Sequence, residues 1–228
     1  QLCDSVARHM SSIPWAGEIH GFSQFEPILT LATYLSSDWL SDAHIDQQLD
    51  LLRHDLSRQM EITGCEVVRT SFFRKLLSVF LKRSERDTYS GGNQSCRQLW
   101  SVGEELSSGN CSRICGVVNI NDSHWIALAI DFVGSTVYQG DSMGNIPYPE
   151  LGAAVDWWIF MHAKRAFQHM KLAISRQQDM VSCGVFALNA VAHYVLPNSN
   201  PVLQHKDVDE ARLSFFVRVV DRSLDLVR

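Results

Sequence analysis

Residues 177–194 read QQDMVSCGVFALNAVAHY. Polar residues stop at Cys183-Gly184, and an apolar run follows. From Val185 to Val195 the segment is apolar almost all round, which predicts a helix buried in a core rather than one lying on a surface. Cys183 and Gly184 stand at its first turn, where backbone N–H groups point outward without intrahelical partners. The helix dipole there favours an anion, so a thiolate in that place is stabilised and attacks well. Gly184 has no side chain to block the approach of a substrate carbonyl. A cysteine at a helix start is also an ordinary small core residue. The rest of the sequence has to decide between packing and nucleophilic chemistry.

A nucleophilic thiol needs a base, and the base needs an acceptor to orient it. The chain has nine histidines, most of them in helical segments among polar neighbours. His124 differs. It follows the polar turn Asn121-Asp122-Ser123 and opens the stretch WIALAIDF, residues 125–132. That stretch is nearly continuously apolar, as expected of a central strand covered on both faces. Residues 116–120 and 135–139 read as its neighbours, with Gly134-Ser135 as a hairpin turn. Asp141 then ends the adjacent strand, 17 residues after His124. A hairpin brings such positions together at one edge of a sheet. Asp122 competes as the orienting acid, but it shares a turn with His124 and would have to fold back. A tetrahedral oxyanion needs donors as well. The Cys183 amide is one, and either Gln177 or Gln178 could supply a side-chain N–H.

Around this centre the pattern is mixed. Ile45, Leu49, Leu52 and Leu56 put one apolar face on a helix over 43–59, with Ser41 and Asp42 able to cap it. Residues 70–83 read as a second helix, with Arg74, Lys75, Lys82 and Arg83 on a solvated face. Residues 86–112 are polar and read as a long surface connection with one short helix. Helices are expected again at 150–169, 184–195 and 206–226, and a strand at 171–175. Helices, then strands, then helices make an α+β domain.

Composition narrows the function classes. Apolar residues make up 46% of 228, enough for a sizeable core. The formal charge of −5 argues against a nucleic-acid-binding domain. No apolar run reaches the ~18 residues of a membrane span. The opening lacks an initiator Met and a signal-like segment, which reads as a piece of a longer, intracellular chain, nuclear or cytoplasmic. The six cysteines contain no CxxC pair, and Cys111 and Cys115 have no matching zinc partners. Free thiols, no metal, no cofactor and a monomer are expected. Sequons at Asn93, Asn110 and Asn121 are short enough to arise by chance.

Taken together, SHWIALAID, GDSMG and QQDMVSCGVFALN resemble the ubiquitin-like-protein-specific, SUMO-deconjugating cysteine proteases of clan CE. The family order is His-Trp, Asp, Gln, Cys-Gly. The resemblance runs over about residues 25–225, and it implies one protease catalytic domain over 1–228 with 1–24 as an N-terminal extension. It implies a papain-like α+β fold, with a central mixed sheet flanked by helices and the nucleophile at the start of a buried helix. It assigns Cys183 as nucleophile, His124 as base and then acid, Asp141 as orienter and Gln177 as oxyanion donor. An upstream WLND signature is matched by Trp39-Leu40-Ser41-Asp42. Through it, Trp39 and Trp125 would close a tunnel over the modifier's Gly-Gly tail, where flat rings leave room only for residues without side chains. Asp42 would contact the modifier near that tail. SUMO, a NEDD8-like protein or ubiquitin, with their conjugates, are the implied partners. Two departures bear on modifier preference: Asp179, Met180 and Ser182 replace an Asn-Gly and an Asp, and Ser41 replaces an Asn. Divergent copies of the family occur in mobile-element proteins of fungi, which this sequence resembles in style.

Three other readings compete. Gly140-Asp141-Ser142-Met143-Gly144 matches G-x-S-x-G, the nucleophile elbow of serine hydrolases, but Pro147 and Pro149 forbid an immediate helix. Clan relatives include acetyltransferases that use the same His-acid-Cys order. A non-catalytic module binding a ubiquitin-like protein is the third.

Overall fold

The computed structural model describes residues 1–59, 64–84, 89–144 and 147–225. Helix α1 (Leu2–Ser12) is followed by two short antiparallel strands, β1 (Glu18–Ile19) and β2 (Glu26–Pro27), and by a 3₁₀ segment, Ile28–Leu35. Then come α2 (Asp42–Ser57), β3 (Cys65–Val67), α3 (Thr70–Leu81), α4 (Arg97–Ser107), β4 (Arg113–Ile120), β5 (His124–Asp131) and β6 (Thr136–Gly140). The chain continues through α5 (Pro149–Ala163), β7 (Gln168–Lys171), α6 (Cys183–Val195), a 3₁₀ turn at His205–Asp207 and α7 (Val208–Asp225). Strands β3 to β7 form one sheet in sequence order. Its two outer pairs are parallel and its two inner pairs antiparallel, so the sheet is mixed. The α+β architecture with helices on both faces agrees with the sequence pattern.

Strand β5 shows why. Its side chains alternate between two cores. Trp125, Ala127 and Ala129 join the core formed with α2, α6 and α7. Ile126, Leu128 and Ile130 join the one formed with α3 and α5. A strand buried on both faces has no polar face to show, hence the continuous apolar run. The turn before it places Asn121 and Asp122 at φ +52° and +53°. Short polar side chains tolerate that region, and two successive residues in it match the twist of a hairpin.

The helix expected at 43–59 is α2. The Ser41 N–H donates to His44 Nδ1 at 3.2 Å, and the Ser41 hydroxyl lies 2.7 Å from the same nitrogen. His44 Nε2 donates to the Thr30 carbonyl at 2.9 Å. A carbonyl can only accept, so Nε2 carries the proton and Nδ1 closes the helix start. Burial lowers the pKa of this histidine, despite the Thr30 bond. The same imidazole thus ties the 3₁₀ segment to α2 across Trp39 and Leu40.

Three expectations move. The strand at 171–175 lies at Gln168–Lys171, where all four residues are exposed on an outer strand. The apolar signal came from Leu172 and Ile174, which turn into the core just past the ladder. The helix expected to 169 ends at Ala163, with Lys164 at φ +55°. The last helix starts as a 3₁₀ turn and becomes α-helical at Val208; residue 226 lies outside the described residues. The single short helix in the polar connection is α4, while residues 86–88 of that connection also lie outside them. The extension at 1–24 holds α1, which packs on α7 through His9 and Asp221, 2.8 Å apart. All six cysteines are free thiols. Among the described residues no helix is long and apolar enough to cross a membrane.

Candidate active site

Cys183 is the first residue of α6, buried at 1% exposure where that helix meets the end of the sheet. Gly184 is buried beside it. A Cβ there would come within 3.1 Å of Ile45 and 3.2 Å of Trp125. Its bareness therefore lets α6 pack against the tryptophan.

His124 and Asp141 meet as the hairpin predicts. The register pairs Ala127 with Gly140, so Asp141 leaves β6 beside the start of β5. Asp141 Oδ1 accepts from His124 Nε2 at 2.8 Å and from the Met143 amide at 2.9 Å. Oδ2 accepts from the Tyr148 hydroxyl at 3.0 Å. Asp122 is exposed in its turn. With Nε2 committed to the carboxylate, Nδ1 is the ring nitrogen left for Cys183. Burial is the largest influence on the His124 pKa and pulls it down. Hydrogen bonds to Cys183 and Asp141, with the negative charge of both, raise it above the ordinary value. These partners together outweigh burial in holding the proton on the imidazole.

Of the two glutamines, Gln178 is exposed and Gln177 is buried. The Gln177 Nε2 donates to the Asp179 carbonyl at 2.8 Å, and its Oε1 accepts from the Ser142 hydroxyl at 2.5 Å. Ser142 is itself buried. A hydroxyl enclosed and already donating is no nucleophile, which disposes of the serine-hydrolase reading.

The departures before the nucleophile find partners in one another. The Asp179 carboxylate accepts from the Val181 amide at 3.0 Å, the Ser182 amide at 2.9 Å and the Ser182 hydroxyl at 2.6 Å. Burial works to raise its pKa, but the bonds from Ser182 and Val181 and the nearby His205 hold it below the usual range. The acid and its neutral partner stand in exchanged positions relative to the family pattern, and the loop into α6 still closes on itself.

The two tryptophans stack, centroids 5.6 Å apart and planes 29° from parallel. Trp125 is buried, its indole N–H donating to the Leu40 carbonyl at 2.8 Å. Trp39 is half-buried above it, and its N–H donates to Cys183 Sγ at 3.0 Å. An N–H aimed at sulfur offers a donor to negative charge that develops there. Trp39→Phe keeps a ring over the sulfur and removes only that donor. A hydrogen bond to a charged acceptor is worth about 1.5–3 kcal/mol, so alkylation of Cys183 by iodoacetamide at neutral pH is expected to slow about tenfold. An unchanged rate would show that the contact does not hold the anion.

Asp42 opens α2, and both its oxygens accept from Arg74 Nη2 at 2.8 and 2.9 Å. The pair is exposed, so it contributes little to stability. Arg74 stays on the exposed face expected of it while holding Asp42. Sequence reasoning missed Tyr148, Ser142 as a partner of Gln177, and the Trp39–Cys183 contact. The first two carry no pattern that marks them. Among the described residues no cluster of three or more His, Cys, Asp or Glu could hold a metal ion.

The family model for "Ulp1 protease family, C-terminal catalytic domain" matches residues 38–224. Among curated proteins, no relative matches. Solved structures resemble the chain throughout. The C-terminal Ulp1 protease domain in complex with Smt3, the yeast ortholog of SUMO, superposes with a TM-score of 0.70 at 17% identity, covering 98% of this chain and 95% of that one. The Ulp1-like SUMO protease catalytic domain of Chaetomium thermophilum gives 0.68 at 17% identity, covering 97% and 90%. The Xanthomonas campestris effector XopD bound to ubiquitin gives 0.53 at 19%, covering 78% and 91%. At such identities the likeness establishes the fold.

Proposed function

The chain belongs to the Ulp1 protease family and is a cysteine peptidase, and from that premise we propose that it hydrolyses the bond after the C-terminal Gly-Gly of SUMO or a related ubiquitin-like modifier. Cys183 is the nucleophile in this reading, His124 the base and then acid, and Asp141 the orienter. The observation that carries it is His124, held by Asp141 through Nε2 at 2.8 Å and close enough to Cys183 for the sulfur to help raise its pKa.

His124 takes the Cys183 proton, and the thiolate attacks the carbonyl of the modifier's last glycine. The carbonyl oxygen becomes an oxyanion, stabilised by the Cys183 amide and a Gln177 N–H. As the C–N bond breaks, His124 passes its proton to the departing amine. Water then attacks the thioester, giving up a proton to His124, and frees the thiol and the modifier's carboxylate. The stacked tryptophans beside Cys183 support a requirement for glycines, since only a chain without side chains slides between flat rings.

A panel of SUMO, NEDD8 and ubiquitin proteins bearing C-terminal electrophiles tests the reading. A covalent adduct with SUMO is expected. An adduct with ubiquitin or NEDD8 alone would reassign the modifier. Reversible binding without any adduct would make the chain a recognition module and end the peptidase proposal.

A further inference from the structure

Ser142 lies in the GDSMG stretch, from which the peptidase reading uses only Asp141. We propose that Ser142 is a positioning residue for the oxyanion donor: it fixes the side-chain amide of Gln177 with its oxygen turned away and its N–H₂ available to the reacting carbonyl. The inference rests on the oxyanion role of Gln177 and adds to it.

The geometry admits one polarity of the amide. The Asp179 carbonyl, 2.8 Å from one end of the Gln177 side chain, can only accept. That end must be the N–H₂. The other end is then the oxygen, and the Ser142 hydroxyl at 2.5 Å must donate to it. The same serine holds Gln177 a second time, because the Gln177 backbone N–H donates to the Ser142 carbonyl at 2.9 Å. Both residues are buried, so water is a poor substitute for either bond. One proton of the N–H₂ is spent on Asp179, leaving one for an oxyanion at Cys183.

The position of Ser142 gives the pairing its meaning. It is the residue after Asp141, at the end of β6. Asp141 turns to His124 while Ser142 turns to Gln177. Two adjacent residues therefore set the direction of the base and of the oxyanion donor, although Gln177 lies 35 residues beyond Ser142 in sequence. Without the hydroxyl, Gln177 Oε1 is left buried and unpaired, and the amide can rotate to seek another donor.

A double-mutant cycle on a modifier fusion tests this. Removing one oxyanion donor costs about 10²–10³ in kcat, and that is the expected loss for Gln177→Ala. Ser142→Ala is expected to lower kcat about tenfold with KM little changed, since the bond it removes acts only through Gln177. In the Gln177→Ala background it should cost nothing further. Alkylation of Cys183 by iodoacetamide forms no oxyanion, so Ser142→Ala should alkylate at the wild-type rate. Four results would overturn the proposal: a Ser142→Ala kcat equal to wild type, losses that multiply in the double mutant, alkylation slowed as much as turnover, or a Gln177→Ala enzyme of normal rate. The last strikes the oxyanion reading of Gln177 itself; the first three leave that reading standing and remove Ser142 alone.

Discussion

Cys183→Ala is expected to cut the hydrolysis of a modifier fusion by about 10⁴-fold or more, the scale seen when a nucleophile is deleted from a covalent mechanism. No neighbouring group can take over. Ser142 is the nearest alternative by motif, and it is enclosed and donates to Gln177. Cys65, Cys111 and Cys115 lie on or beside β3 and β4, and Cys96 precedes α4. The change is small for the fold, because alanine fills most of the space of a buried cysteine at a helix start. Binding of the modifier should therefore survive, and a stable complex should form where wild type turns over. Single-turnover rates and the adduct with the electrophilic modifier check this. A residual rate within tenfold of wild type would mean that the thiol is a core residue and the chemistry lies elsewhere.

The second large effect is expected at Asp141. In Asp141→Asn, the Met143 amide still needs an acceptor where Oδ1 stood, so the asparagine oxygen stays there and continues to accept from His124 Nε2. The imidazole keeps its tautomer. What is lost is the charge, and Tyr148 must reverse from donor to acceptor. Turnover should fall about 10²–10³-fold, less than the ~10⁴ that follows where such a change also imposes the wrong tautomer. The pH profile carries the sign. Asp141 is among the causes that raise the His124 pKa, so its neutral replacement lowers it. The imidazolium is then lost at lower pH, and the alkaline limb of kcat/KM should move down. A profile with that limb in place, or a loss under tenfold, would remove Asp141 as the orienter.

Most of the fold was legible because burial leaves a period. The run at 125–132 read as a strand covered on both faces, and it alternates between two cores. The helix after Cys183 read as buried for the same reason. Elements without a distinctive apolar pattern were lost. Helix α1 buries only Val6, and β3 spans just three residues, too few to show a period. Strand β7 was displaced because its ladder faces water while the apolar residues follow it. At the site, the pairing of His124 with Asp141 was readable from a hairpin, whose geometry is local. Choosing Gln177 over Gln178 needed the family pattern. Contacts such as Trp39 to Cys183, 144 residues apart, exist only once the chain has folded and mark no spacing in the sequence.

The stacked tryptophans carry a cost for the enzyme's clients. Two rings with an extended backbone between them stand about 7 Å apart, twice a carbon–carbon contact of ~3.5 Å, and here the ring centroids are 5.6 Å apart. Trp125 is locked in the interior, so a Gly-Gly tail taken between the rings, as proposed, would require Trp39 to lift and give up its bond to the sulfur. A short diglycine peptide offers little grip with which to force that opening, whereas a whole folded modifier can draw on its broad surface for the work. On the proposed reading, such a door would discriminate by the size of the visitor and close over the thiol again between turnovers.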